Sequence, residues 1–375
     1  MQLTLRDQLT QFSHLLQKSL FPVLEEETGS LSEPAKRLVS VLAMVPLQRY
    51  LPVSRGWNGR PAKDRHALAC AFIAKAVYNL TTTRQLIERL QSDGPLRRIC
   101  GWRRASDLPH ESTFSRAFDE FAAMELPQFV HAALIRDTQQ QRLIGHIVRD
   151  STAIPARERF AQAPPKPPRQ KRQRGRRRSG EQAVPRTRLE RQRTMTLSQM
   201  LAELPRHCSL GVKTSSDGNQ KYWRGYKLHL DVADGQIPIS AILTAASLHD
   251  SQAAIPLATL TAQRVTSLYD VMDSAYDAHE ILAHSRSLAH VPIVKPVQRN
   301  PQTKSLIFPP KPPRQFTWAE EERFRERTLV ERVNGRLKDE FGGRHIYVRG
   351  ARKVMAHLMF GVLALTVDQL LRLCG

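Results

Sequence analysis

Along the first third of the chain, apolar positions recur three and four residues apart. In "DRHALACAFIAKAVYNL", Leu68, Phe72, Ala76 and Leu80 share one stripe that starts from Asp64, so a helix is expected. "SEPAKRLVSVLAMV" offers Ser32 as an N-cap, with Pro34 in the first turn. "TTTRQLIERLQSDG" begins on threonines and stops at Gly94. "HESTFSRAFDEFAAM" places Phe114, Phe118 and Phe121 at helical spacing. Aromatics so spaced belong to a core more often than to a base-stacking surface. Residues 1–135 therefore read as an all-helical unit. Its basic connector "RRICGWRR" suits DNA binding, although no unambiguous helix-turn-helix is visible.

The period then changes. "RLIGHIVRD" is a short apolar run ending in Asp150 and reads as a buried strand. "YWRGYKLHLDV" alternates at Tyr222, Arg224, Tyr226, Leu228 and Leu230. Asp234-Gly235 is a two-residue hairpin signal, and "QIPISAILT" is the returning strand. A helix follows from "HDSQAAIPLATLTAQ", then strand, acid-bearing turn and helix in "SLYDVMDSAYDAHEIL", then a fifth strand in "AHVPIVKP". A helix in "FRERTLVERVNGRLK" and a last apolar helix from Val354 complete the order. The fold class is α/β over residues 140–375, a sheet flanked by helices and preceded by the helical unit.

Charge narrows the partners. The chain has 375 residues, with 57 Lys plus Arg against 35 Asp plus Glu, a net charge of +22. The pI is near 10.5. A balance this basic favours a polyanion, most often nucleic acid. The four cysteines, Cys70, Cys100, Cys208 and Cys374, form no CxxC pair. That argues against a zinc ribbon and a disulfide framework and points to a reducing cytosol. "MQLTLRDQLTQF" lacks the apolar core of a signal peptide. The most apolar segment, residues 358–367, is bracketed by His357 and Asp368 and is too short to cross a bilayer, so no membrane is expected.

An insert at about 156–200 stands apart. Within it "PPKPPRQKRQRGRRR" carries eight Lys or Arg in fifteen residues, among them Arg172, Arg174, Arg176, Arg177 and Arg178. Pro and Arg at this density cannot pack a core, so an extended or disordered segment is expected. It is either a solvated loop or a clamp on phosphates.

Three acids are the candidates for chemistry. Asp150 and Asp273 each end a strand, where side chains of an α/β layer converge on a crevice. Each could equally be an N-cap or turn residue. In the later helix Val330, Val333, Leu337 and Phe341 form the apolar stripe. Phe324, Arg327, Glu331 and Lys338 share a ~60° arc on another face. Spacing alone does not separate a functional Glu331 from an ordinary surface Arg–Glu pair. Together, two Asp and one Glu are hard oxygen ligands of the kind Mg²⁺ prefers, and two such ions about 4 Å apart can activate the attacking oxygen and stabilise the leaving one in phosphodiester chemistry.

These residues resemble the DDE-type transposases of bacterial insertion sequences. "VRDSTAI" and "VMDSAYDA" resemble the two Asp motifs, and "FRERTLVERVNGRLK" resembles the signature of Tyr, two residues, Arg, three residues, Glu, six residues, Lys. Phe324 replaces the tyrosine. "SLHDSQ", around His249 and Asp250, resembles a recurrent segment and reads as structural or secondary. The resemblance implies an RNase H-like domain with Asp150, Asp273 and Glu331 on two Mg²⁺ ions, for which Mn²⁺ could substitute. It implies Arg327 and Lys338 on backbone phosphate, and it offers Trp318 for stacking on an unpaired base, against the commoner role of packing. Partners would be double-stranded DNA, as terminal inverted repeats and target, and a second copy in a synaptic complex. The setting would be a bacterial cytoplasm, at the nucleoid. A non-catalytic repressor or domesticated transposase, and a nuclease on the same fold, stay open.

Overall fold

The computed structural model describes residues 4–51, 63–159, 186–214, 217–296 and 315–373. The arginines 172, 174, 176, 177 and 178 lie outside these residues, so neither the disorder nor the clamp expected of them is addressed. Residues 186–200 of the same insert are described, and they are not extended: two short helices, α9 (Arg188–Gln192) and α10 (Leu197–Glu203), start from Thr187 and Thr196, each with a capping box.

Among the described residues eight α-helices come first: α1 (Leu5–Leu15), α2 (Phe21–Thr28), α3 (Glu33–Met44), α4 (Arg65–Val77), α5 (Thr83–Ser92), α6 (Gly94–Ile99), α7 (Glu111–Ala123) and α8 (Leu126–Gln139). Ser32 caps α3, and Asp64 caps α4. Gly94 does not end α5 but opens α6, because Asp93 caps the new helix through Leu96 N–H. Phe114, Phe118 and Phe121 are buried, with Phe114, Phe118 and Phe121 rings all around Phe72.

The sheet follows: β1 (Leu143–Pro155), β2 (Ser209–Thr214), β3 (Gln220–Ala233), β4 (Ile237–Ala245), β5 (Thr266–Met272) and β6 (Val291–Val294). Its order is β2-β3-β1-β5-β6, with β4 also on β3. β1, β5 and β6 run parallel, and β3 is antiparallel to β1, β2 and β4. The sequence pattern missed β2, which is six residues long and half-exposed. The hairpin loop holds three residues rather than two, because Gln236 as well as Gly235 has positive φ. Asp234 uses that loop to hold the start of β1: its carboxylate accepts from Gly145 N–H (2.7 Å) and His146 N–H (3.0 Å).

Helices α11 (Ala254–Ala262) and α12 (His279–Ser287) accompany the strands, and α13 (Trp318–Arg325), α14 (Thr328–Glu340) and α15 (Ala351–Arg372) close the fold. The signature region is therefore not one helix. The chain turns at Glu326 and Arg327, leaving Phe324 on α13 and Glu331 in the first turn of α14. The stripe of Val330, Val333, Leu337 and Phe341 is fully buried as expected.

The last helix is longer than its most apolar segment. At 22 residues it is apolar enough to cross a membrane, yet 83% of its most apolar window is buried inside the protein. It packs on α3, α4, α7, α8, α14 and β4, so helical unit and sheet share one apolar core. Gly361 permits close packing on α14: a Cβ there would lie 2.5 Å from Phe341 O.

Beside Asp150 lies a buried charge network. Arg149 donates to Asp231 on β3 (2.8 Å), which also accepts from Thr261 on α11 (2.6 Å). Asp270 on β5 accepts from Ser285 on α12 (2.6 Å) and faces His290 at 3.3 Å. Arg149, Asp231 and Asp270 are each 1% exposed or less. Arg149→Met leaves two buried carboxylates without their cation and is expected to cost about 3–5 kcal/mol, read from the urea midpoint. An unchanged midpoint would show the network to be dispensable.

A second buried cation behaves differently. Lys75 on α4 is 5% exposed, with Nζ 3.5 Å from His357 Nδ1 on α15. Burial lowers its pKa to about 8. The unfolded chain therefore takes up this proton first as pH falls from above 10, and stability drops until the folded-state pKa is passed. Lys75→Met is expected to stabilise the protein at pH 7, on the order of 2 kcal/mol, with the gain shrinking above pH 9 in thermal melts.

Candidate active site

Asp150 lies within β1 rather than at its end, since the strand runs on to Pro155. The extension is held by burial of Ile154 and Ala156 and by Glu158, whose carboxylate accepts from Tyr226 O–H and from Gly350 N–H, both at 2.9 Å. On the adjoining parallel strand Arg149 registers with Met272, so Asp273, the next residue, stands beside Asp150. Asp273 also performs the local role expected as its alternative: it caps the turn at Ser274–Tyr276, accepting from Ala275 N–H at 2.9 Å.

Both carboxyls are poorly solvated. Burial raises Asp150 to about 6, aided by the negative charges of Asp273 and Asp250, against the Ser151 N–H and Lys213. Burial also raises Asp273; Asp250 adds to this, while Ala275 N–H, Arg327 and Lys213 oppose it. Neither aspartate forms an ion pair at contact distance among the described residues.

Helix α14 lies across β1 and β3. Lys338 reaches from it to Thr152, Nζ to Oγ1 at 2.6 Å. Thr152 is two residues beyond Asp150 and so on the same face of the strand. Burial lowers the Lys338 pKa, and Arg344 and Lys213 add to the effect. Glu331, half-exposed, pairs with Arg327 at 3.0 Å. Arg327 in turn acts on Asp273. The far end of α14 is held by the helical unit: Asn79, in the left-handed region, donates to Asp339 O (2.8 Å) and accepts from Gly342 N–H (3.0 Å).

Asp150, Asp273, Arg327 and Lys338 are thus brought together, with Glu331 joined to them through Arg327. Among the described residues no three His, Cys, Asp or Glu side chains are close enough to hold a metal ion. Trp318 opens α13 and is 80% exposed, so the packing role is not what it does. The ring of Phe324 lies beneath Lys295 Nζ (4.8 Å) and near the Arg327 guanidinium (5.9 Å). A phenyl ring is a face for cations even without the hydroxyl.

Sequence reasoning missed two neighbours. Lys213 acts on Asp150, Asp273 and Lys338, and it sits on β2, the strand that the pattern did not show. Asp250 was legible as part of "SLHDSQ" but not as a neighbour of the two aspartates. Burial pushes its pKa up, yet His229, Lys227 and the Ser151 hydroxyl hold it below the usual carboxylate range. It is engaged by Lys227 at 2.9 Å.

Two family models match the chain. The model described as transposase DDE domain matches residues 198–367, and the one described as transposase domain (DUF772) matches residues 26–120. No curated protein and no solved structure matches. A six-stranded mixed sheet with β3 antiparallel between β4 and β1, flanked by helices, is an RNase H-like catalytic domain of the DDE class. The chain belongs to the DDE transposases of insertion sequences: it is a DNA transposase, an enzyme of phosphodiester cleavage and transfer. Its family uses divalent metal ions, acts on DNA and is soluble.

Proposed function

We propose that Asp150, Asp273 and Glu331 are the catalytic carboxylates, that they hold two Mg²⁺ ions, replaceable by Mn²⁺, and that the chain cleaves at its element's terminal inverted repeats and joins the freed ends to target DNA. The observation that carries this reading is the pair of desolvated aspartates on adjacent parallel strands, surrounded by Lys213, Arg327 and Lys338. The donor set is chemically suited to a hard dication: among the described residues two carboxyls lack a contact cation, and the third is held by Arg327. When bound, the ions supply Lewis-acid activation of the attacking oxygen and neutralise charge on the leaving one.

The chain's own residues do the rest. Asp150 and Asp273 are held by the strands and by the buried network one residue earlier, on the other face of the sheet. Lys338 is steered to the Asp150 face by Thr152 and can bind a non-bridging phosphate oxygen there. Arg327, paired with Glu331 here, would be free to offer its guanidinium to the DNA backbone if Glu331 served as a metal ligand. Lys295 and Trp318 extend a basic and aromatic rim along α13, where Trp318 could stack on an unpaired base. The basic insert with Arg172, Arg174, Arg176, Arg177 and Arg178 would add phosphate contacts. A homodimer in a synaptic complex, working at the nucleoid of a bacterial cytoplasm, completes the reading.

Two measurements test it. Metal first: at Mn²⁺ about a hundredfold above its Kd, wild type should gain roughly 2–3 kcal/mol of stability, and Asp150→Asn or Asp273→Asn should gain little. Equal gains in all three proteins would remove these aspartates from the metal site. Chemistry second: with Mg²⁺ and a labelled duplex carrying the element's end, wild type should cut at the junction and yield joined product, while Glu331→Gln should bind but lose at least about a hundredfold in rate. Cleavage without joining would select a nuclease, and binding without cleavage in both proteins a repressor.

A further inference from the structure

The outer edge of β4 lies two strands from Asp150 and pairs with no other strand among the described residues. Arg224 O on β3 accepts from Ala156 N–H just past β1, so the even-numbered β3 residues Tyr226, Leu228 and Leu230 turn their backbone groups toward β1. Their β4 partners, Ala245, Leu243 and Ala241, turn theirs outward. At one end Ala245 N–H is satisfied by Pro205 O (2.7 Å), and at the other Ile239 O accepts from Arg264 Nη1 (2.6 Å). Between these closures the outward groups of Ala241 and Leu243 have no hydrogen-bond partner among the described residues. Leu243 is only 4% exposed, so this edge is not simply washed by solvent. Unpaired backbone groups in a partly buried place are costly unless something binds them.

The edge borders a cavity of about 420 Å³. Phe129, 58% exposed, together with Leu260 and Met355, gives it apolar walls. Arg136, Arg206, Arg264 and Arg352 also line it, against one acid, Glu125. None of the four arginines forms an ion pair among the described residues. Arg264 is the deepest: burial and the nearby Arg136 lower its pKa to about 10.

We propose that this slot takes an extended peptide of another protein, with acidic and large apolar side chains at alternate positions, added as a strand to β4. The peptide backbone would satisfy Ala241 and Leu243, alternate side chains would enter the apolar walls, and carboxylates would meet Arg136 and Arg264. A DNA duplex matches neither the free strand edge nor a cavity of this size, and a basic peptide meets the wrong charge. The site is separate from the proposed catalytic carboxylates and does not depend on their assignment.

The test is selection of random dodecapeptides on the full-length chain at roughly 0.3 M salt, which screens diffuse attraction to a +22 protein. Peptides alternating Asp or Glu with large apolar residues should be enriched. The best of them, made synthetically, should bind at least about tenfold more weakly to Arg136→Gln/Arg264→Gln. Its version N-methylated at alternate amides should lose binding to wild type, and Ala241→Pro, which removes only an outward N–H, should melt like wild type and bind less. Enrichment of basic or patternless peptides, no enrichment, equal binding by the arginine variant, equal binding of the N-methylated peptide, or displacement by plain duplex DNA would each overturn the proposal.

Discussion

The site depends on one guanidinium that has almost no access to water. Arg149 ties β1 to β3 through Asp231 and lies against Met272 of β5, while Asp231 and Asp270 extend the ties to α11 and α12. A charge of this kind tolerates no slip in register, because any displacement leaves ions buried and unpaired. The residues next to Arg149 and Met272 are Asp150 and Asp273. Their position is therefore a by-product of the network one step earlier in each strand, and the strands present on one face what they lock on the other.

The second determinant is the union of the two halves of the chain. Helix α14, which bears Glu331 and Lys338, is clamped at its end by Asn79 from the helical unit, and it rests on α15 through the gap that Gly361 leaves. Lys75 and His357 meet at the same junction. The helical unit is thus part of the scaffold that orients the signature helix, beyond any part it has in holding DNA.

Much of this was legible from the residues. The helix stripes around Phe72 and Val330, the β3–β4 hairpin and the strands that carry Asp150 and lead to Asp273 follow from periodicity and turn chemistry; that the two strands are neighbours does not. What periodicity could not give were features decided by distant partners. β2 is a strand because β3 is long enough to pair with it, so Lys213 stayed hidden. β1 outruns its apolar segment because Glu158 and Tyr226 hold its extension. The break between α13 and α14 falls in a charge-rich stretch with neither Gly nor Pro to mark it. Asp250 lay in a noted segment, but only the turn that seats it beside Asp273 reveals its company.

Helix α15 also has a bearing on synthesis. Helices α3, α4, α7 and α8 leave the ribosome long before the helix on which their apolar faces close. A nascent chain must therefore carry those faces uncovered while the whole sheet is being made, which is the situation that invites holding by chaperones and penalises truncated products. Premature release upstream of residue 351 yields a helical unit without its centre, so a prematurely stopped product exposes the apolar surface that α15 covers in the folded chain.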